Sequence, residues 1–315
     1  MKHASRVGLI FLLGAALGAT SASAAADPAL LNLVMPDAKV VAGFQVAQAQ
    51  VSPLGQYLLS QIPANADFDK MIAATGFDPR RDLQEIVAAS AGGSRPTGLV
   101  IGRGVFQPAR ISMVAGMTGG SAADYKGVQI VMGKGSPNGV AFLDASTVVA
   151  GDAASIKAAI DRRAGGSQLS AALRQKALEA STSNDAWIVT LTPLTELLAG
   201  SGAAVGAVSA QQANLFQTVQ QLAGGLKFGA STVRLTGEAV TRSNEDAQAL
   251  ADILRFLASM AQSNAKGPNA ARASSLIDAA KFSAEGAVMR LSVELPESEI
   301  EQMIKPAPRN RAAVR

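Results

Sequence analysis

Residues 126–150, KGVQIVMGKGSPNGVAFLDASTVVA, decide the fold class, because three apolar segments follow one another within a few residues. The segments at 126–133, 139–144 and 146–150 carry the β-branched residues that are typical of strands. The turn between the first two contains Asn138-Gly139, a strong signal for a hairpin. Since strands joined by short turns pair antiparallel, we expect an α+β protein, with antiparallel sheets and helices packed on one face.

Capping patterns predict several helices outside this stretch. Ser52-Pro53-Leu54 supplies an N-cap and a first-turn proline for a helix that runs to about Gln61. Thr192-Pro193-Leu194 repeats this pattern after a predicted strand at 186–191. Asp78-Pro79 predicts a further helix that continues through Val87.

The other segments are predicted from their hydrophobic patterns. We expect strands near 39–47, 98–105 and 109–116, and helices at 152–163 and near 209–223. The segments 226–233 and 235–242 predict a hairpin, and Ser243 with Asp246 forms a capping box for the helix that follows. Pro296, after a last hairpin, starts the final helix from Glu297 to Ile304.

The order of these elements predicts two related halves. Each half begins with a strand and a Ser/Thr-Pro-Leu helix, and each ends with an antiparallel pair and a helix. We expect a signal peptide at 1–24, an N-terminal half at 25–165, a linker at 166–184, a C-terminal half at 185–304 and a disordered basic tail at 305–315.

The first residues have the three parts of a secretory signal. Lys2 and Arg6 precede the apolar run Val7–Ala19, which is too short to span a bilayer. Small residues follow, and the A-x-A pattern that ends at Ala24 predicts cleavage there. Cleavage after Ala26 and retention of the segment as an anchor are the alternatives. We therefore expect a periplasmic or secreted protein, with no stable membrane span after cleavage.

The composition excludes several kinds of chemistry. The chain has no cysteine, and its one histidine, His3, lies in the predicted signal. A mature chain without either residue cannot form a Ser-His-Asp or Cys-His site. Without Lys2 and Arg6 the net charge falls from +4 to +2, and four of the remaining basic residues lie in the last eleven positions. Because no basic stripe is interleaved with aromatic residues, we expect no nucleic-acid partner.

Five further patterns are interpreted as structural. Gly127–Lys134 departs from the phosphate-loop spacing, and Ser263–Lys266 matches S-x-x-K but lies before Gly267-Pro268 in a predicted linker. Acidic residues in the first turn of a helix are expected, because their negative charge interacts favourably with the helix dipole. We therefore predict no catalytic, cofactor-binding or metal site. The residues weighed besides the two motifs are Asp67, Asp69, Glu297, Glu299, Glu301, Trp187 and the methionines Met113, Met117 and Met132, with the tryptophan and the methionines expected in the core.

Several segments resemble a broad class of exported bacterial proteins of unknown function, over roughly residues 65–200. They are Thr75-Gly76-Phe77-Asp78 through Arg81-Asp82-Leu83, Tyr125-Lys126-Gly127-Val128, Val148-Val149-Ala150-Gly151-Asp152 and Ile156-Lys157-Ala158-Ala159-Ile160-Asp161. The resemblance implies an envelope location and repeated α/β modules, and it implies no known activity.

The absence of a catalytic signature in an exported chain of this size favours a non-catalytic binding or scaffold protein of the envelope. Such a protein would bind another envelope protein through a sheet edge or a helix face. The alternative is a periplasmic carrier of an apolar ligand or lipid, which predicts a large apolar cavity. A serine- or carboxylate-based hydrolase is the third possibility, and it predicts a cleft in which such residues converge.

Overall fold

The computed structural model describes residues 25–62, 66–92, 98–193, 217–264 and 274–304. Within these ranges the chain forms twelve strands that belong to one sheet. The strands are β1 (Val40–Gln45), β2 (Leu83–Ser90), β3 (Gly98–Gly104), β4 (Ser121–Tyr125), β5 (Val128–Met132), β6 (Asn138–Phe142), β7 (Thr147–Asp152), β8 (Ala186–Thr190), β9 (Gln221–Phe228), β10 (Thr232–Val240), β11 (Ala280–Glu285) and β12 (Val288–Pro296).

Helices of very different length connect these strands. They are α1 (Pro28–Leu31), α2 (Val46–Val51), α3 (Pro53–Ser60), α4 (Ala66–Thr75), α5 (Pro79–Asp82), α6 (Pro108–Met117), α7 (Ala153–Gly165), α8 (Ala171–Ser183), α9 (Asn244–Asn264), α10 (274–278) and α11 (Glu297–Ile304). The predicted α+β class is therefore confirmed.

The sheet is antiparallel throughout and runs in the order β11-β12-β10-β9-β8-β1-β2-β3-β7-β6-β5-β4. Its centre is the pair β1–β8. Outward from this pair, β1-β2-β3-β7-β6 on one side corresponds to β8-β9-β10-β12-β11 on the other. An internal repeat would produce the same strand order in both halves, as seen here. The relationship between the two halves stays a prediction.

Alternating burial divides the central strands into two faces. Face A carries Val41, Val87 and Ile101, which are fully buried in the main core. Ile156 of α7 and Leu173 of α8 belong to the same core, as does α1. Face B carries the residues between them along each strand, and in the central strands these are less buried.

Beside the strands β9 to β12, helices also cover face B. Leu54 of α3 and Ile300 of α11 pack with Phe228 and Val233. In a separate cluster, Leu250 of α9 packs near the far end of strands β10 and β12. Helices therefore lie on both faces of the sheet, whereas the sequence predicted one covered face. Helices α7 and α8 pack on face A, and helices α3, α9 and α11 pack on face B.

Several predicted elements are confirmed. Ser52 caps α3, since its Oγ accepts a hydrogen bond from the Gly55 N–H at 2.9 Å. Asp152 caps α7, and Ser243 accepts from the Asp246 N–H at the start of α9. The last hairpin, β11–β12, leads directly into α11.

Several predictions are wrong in the type or the position of an element. The helix predicted from Asp78 to Val87 ends at Asp82, and the chain continues as β2, whose residues alternate in burial. The segment 109–116, predicted as a strand, is the helix α6. The short strand β4, which follows α6 in the chain, was not predicted. The hairpin predicted at 226–233 and 235–242 is shifted, because β9 begins at Gln221.

Other predictions are corrected or fall outside the described residues. The predicted linker at 166–184 contains α8, whose Leu173 and Ala177 are buried in the main core. The Asn138-Gly139 step begins β6 and does not form the turn. The predicted helix at 209–223 is replaced by a turn and by β9 from residue 217 onward. Its earlier part, the helix after Pro193, the signal at 1–24 and the tail at 305–315 lie outside the described residues.

Candidate binding trough on the sheet

The feature that stands out on face B is a row of uncharged residues that crosses the whole sheet. The strand registers place one residue of each strand in this row, from Phe282 at the β11 edge to Ala122 at the β4 edge. All twelve are apolar or glycine. The central part of the row consists of Ile188, Ala42, Ala88, Val100, Ala150, Val140 and Val131.

The described part of the chain leaves this central part incompletely covered. Ile188 is 50% exposed and Val100 is 45% exposed. Their neighbours on face A, Val189 and Ile101, are buried. An apolar sheet face of this kind is normally packed against a helix or another sheet.

A cavity of about 1190 Å³ lies between α6 and the strands β3, β7, β6 and β5. Its floor is formed by Val100, Ala150, Val140 and Val131 of the row, and its wall by Ile111 and Ala115 of α6. We call this cavity the trough. Its size slightly exceeds the roughly 300–1,000 Å³ that is usual for small-molecule sites.

The arrangement of α6 follows from its sequence. Pro108 occupies the first turn, and Ile111 and Ala115 are one helical turn apart on the side of the trough. Arg110, the one charged residue of the helix, donates hydrogen bonds to the carbonyls of Ala73 and Ala74 at the end of α4. This contact joins α6 to α4.

Polar groups lie at one end of the trough. Ser136, Asn138 and Asp152 line it there. Asp152 is already engaged as the cap of α7, and it accepts hydrogen bonds from the Ser155 hydroxyl and from two backbone N–H groups. The Ser155 hydroxyl holds the pKa of the Asp152 carboxyl below its ordinary value. The trough therefore offers an apolar floor and one polar end.

A second concavity, of about 330 Å³, lies on face A beside the end of α8. Its charged residues are paired with one another. Glu238 accepts from Lys176 at 3.0 Å and from Arg290 at 3.2 Å. Asn184 bridges Thr236 and the Ala180 carbonyl. Because these polar groups satisfy each other, this concavity is the weaker candidate for a ligand site.

A cluster of charged residues holds the start of the described chain. The Asp27 N–H donates to both carboxylate oxygens of Glu85, at 3.2 and 3.3 Å. The Asp27 carboxylate forms an ion pair with Arg103, which also donates to the hydroxyl of Thr147 at 2.8 Å. The Ala26 N–H donates to the buried Ser181 hydroxyl at 2.9 Å. These contacts dock α1 onto face A.

Burial is the main cause that raises the pKa of Glu85, from its ordinary value of 4.5 to about 7. Sequence reasoning missed this residue, because one glutamate in an apolar strand gives no sign of its surroundings. The available signal was its position, since Glu85 alternates with Val87 and Ala89, which both point into the core.

The residues weighed in the sequence do not converge. The acidic residues of α11 have different hydrogen-bond partners. Glu297 accepts from the Leu54 N–H, whereas Glu299 accepts from the Ser275 hydroxyl. Ser263 lies within α9 and donates to the Ser259 carbonyl. Lys266 and the side chain of Asp67 lie outside the described residues. Asp69 lies on α4.

The aromatic and sulfur-containing residues are divided between core and surface. Trp187 is buried in the main core, as predicted. Met132 packs partly against that core. Met113 and Met117 do not fill the core, because they lie on the outer side of α6 and are 59% and 80% exposed. The Gly127–Lys134 segment is a turn followed by β5.

Two general properties apply to the described part of the chain. It contains no group of three acidic or histidine side chains placed to hold a metal ion. None of its helices has both the length and the apolar content that crossing a bilayer would require.

Comparison with known proteins identifies the fold and no family. No protein-family model matches the chain, and no curated protein matches it. The chain is similar to a crystal structure of TP0453, form IV, with 12% identity and a TM-score of 0.52, over 88% of this chain and 96% of that one. Form III of the same protein gives 12% identity and a TM-score of 0.50, over 87% and 96%. At this identity the similarity shows that the two proteins share a fold.

Proposed function

We propose that the protein is an exported, non-catalytic binding protein of the bacterial envelope that holds its partner in the trough. One observation carries this proposal. The row that forms the trough floor is uncharged across twelve strands, yet Val100 and Ile188 in its centre are about half exposed. Contiguous exposed apolar surface on a protein usually marks a binding site.

The residue content favours binding over catalysis. Beyond His3 the chain has neither histidine nor cysteine, and the trough is lined by Val, Ile, Ala, Gly and one Pro, with three polar residues at one end. Asp152, the one acidic residue there, is used as a helix cap. Such a lining provides no nucleophile beside a base.

Export is supported by the signal-like N-terminus and by the first described contacts. A chain cut after Ala24 would keep the hydrogen bonds of Ala26 and Asp27 to Ser181 and Glu85. We expect the intact mass of the protein from a periplasmic or culture fraction to match residues 25–315. A mass that includes Met1 would contradict cleavage of the signal, and protein confined to the cytoplasm would contradict export.

A second function, the carriage of an apolar ligand such as a lipid, is favoured by the volume of the trough. About 1190 Å³ with one polar end suits a molecule with an apolar body and a polar head. In this case the ligand would remain bound during purification. A protein partner would instead be lost or would appear as a second chain.

Native mass spectrometry of protein purified from its own envelope extract tests both functions. A mass above that of residues 25–315, with a small molecule or lipid released on denaturation, supports the carrier. A second polypeptide, lost when Val100 is replaced by Asp, supports a protein partner in the trough. A bare chain that also fails to bind an apolar dye would contradict both.

A further inference from the structure

The two edges of the sheet differ in how they are protected. β4 forms one edge, and four of its five residues are exposed. It contains neither proline nor lysine, Asp124 is its one charged residue, and no described side chain donates to or accepts from its backbone. Unprotected edges of this kind pair readily with another strand, and proteins usually block them.

The opposite edge, β11, is blocked. Arg255 of α9 donates a hydrogen bond to the Phe282 carbonyl at 2.7 Å. The strand also carries the charged residues Lys281 and Glu285, and α9 packs against it. Head-to-tail addition of β4 to β11 is therefore disfavoured, and with it the open-ended growth that such contacts produce.

We propose that β4 pairs with β4 of a second copy of this chain, antiparallel and around a two-fold axis at Ala123. In this register Ala123 faces Ala123 of the second copy, and Ala122 faces Asp124. Ser121 faces Tyr125. No two like charges face each other, whereas a register centred on Asp124 would place two carboxylates in direct opposition.

The surface beside β4 fits a protein neighbour. α6 leads into β4 and packs on β4 and β5. Its outer side exposes Met113 and Met117, and exposed apolar side chains of this size are common in interfaces. The contact is isologous, so it closes after two copies.

The pairing would have a structural consequence for the trough. A two-fold axis perpendicular to the sheet keeps face B of both copies on the same side. Each trough ends at β5, so the two troughs would lie on one face of an extended sheet, separated by the two β4 strands. The dimer does not depend on the trough having a ligand, so either proposal can fail alone.

Two single substitutions test the register, measured as the dimer dissociation constant by native mass spectrometry and light scattering. Ala123→Lys places two ammonium groups opposite each other and is expected to weaken the dimer about fivefold, or about 1 kcal/mol. Ala122→Lys is the matched control, because its ammonium meets Asp124 of the second copy. This variant should dimerise as well as the parent or better. Both alanines are exposed, so the fold should be unchanged.

Mixing Ala123→Lys with Ala123→Glu should restore a dimer that contains one chain of each. Because the chain has no cysteine, Ala123→Cys provides a single thiol that should form an intermolecular disulfide. Ala154→Cys, exposed at the start of α7, should not. A protein that is monomeric at all concentrations, or equal effects of the two lysines, or a foreign strand bound at β4 in place of a second copy, would overturn the proposal.

Discussion

The indole of Trp187 lies directly against the backbone of Gly43 at the centre of the sheet. The two residues face each other across the β1–β8 pair. A Cβ atom added at Gly43 would lie 2.3 Å from Cε2 of the indole, far closer than atoms can approach. Trp187 therefore requires glycine opposite it, and this contact joins the strands on either side of the sheet centre.

Gly43→Ala should destabilise the protein by roughly 1–3 kcal/mol, because the indole or the backbone must move to accept the methyl group. Urea denaturation followed by tryptophan fluorescence measures this directly, since the chain has one tryptophan. Gly116→Ala in α6 is the control. Nothing lies within 4 Å of its added Cβ, and alanine favours the helix by up to about 1 kcal/mol. A Gly43→Ala variant with the same free energy of unfolding as the parent would show that Gly43 and the Trp187 indole are not in tight contact.

Glu85 should make the protein less stable as the pH rises from about 4.5 to 7. The folded state keeps the Glu85 proton to about pH 7, whereas the unfolded state loses it near 4.5. Between these values the folded state binds more protons, so the free energy of unfolding falls with rising pH, by up to about 3 kcal/mol. Glu85→Gln keeps a hydrogen-bond acceptor for Asp27 and should remove this dependence.

The predicted pH dependence is measured as the free energy of unfolding in urea at several pH values, for the parent and for Glu85→Gln. The carboxylates whose pKa is lowered, such as Asp152 and Asp78, act in the opposite direction and below about pH 4. The pH range in which Glu85 changes the stability is therefore separate from the range in which these carboxylates do. Parallel stability curves for the two proteins between pH 4.5 and 7 would contradict a buried Glu85.

Local signals in the sequence predicted where helices begin and where hairpins lie. They were less successful in deciding whether an apolar segment is a helix or a strand. Ser52-Pro53 and Asp152 specify caps through their own side chains and backbone, so α3 and α7 begin where predicted. Residues 83–90, LQEIVAAS, follow a helix cap and contain a short apolar run at 86–89, and such a run fits a helix or a strand equally well. Its pairing with β1 and β3 decides in favour of the strand.

The candidate site was beyond sequence reasoning for a related reason. The trough depends on which residues of distant strands share a row, and that register is fixed by pairing between β3, β7, β6 and β5. The sequence also misplaced α6 as a strand, because the β-branched residues Ile111 and Val114 favour β-structure. The helix forms because Pro108 starts it and because Arg110 joins it to α4.

Asp185 should be important for the stability of the β8–β9 pair. Its carboxylate is buried and accepts from the Phe228 N–H at 2.8 Å and from the Lys227 ammonium at 2.7 Å. Asp185→Ala leaves both donors without this acceptor and should cost roughly 3 kcal/mol. Thermal or urea unfolding measures the change.

Glu294→Ala is the matched control for Asp185→Ala. It removes an ion pair with Arg234 at 3.3 Å between two half-exposed side chains. Such surface pairs contribute about 0–1 kcal/mol. Equal losses in the two variants would mean that burial of the Asp185 pair has no energetic weight.

The most direct test of the binding trough is a fluorescence titration with the amphipathic dye 1-anilinonaphthalene-8-sulfonate, which has an apolar ring system and one sulfonate. Val100→Asp places a carboxylate on the trough floor, whereas Val51→Asp makes the same change at an exposed valine of α2, outside the trough. We predict that the parent and Val51→Asp bind the dye equally and that Val100→Asp binds it at least about tenfold more weakly, a difference of about 1.4 kcal/mol. Equal binding by all three proteins would contradict the trough as the binding site.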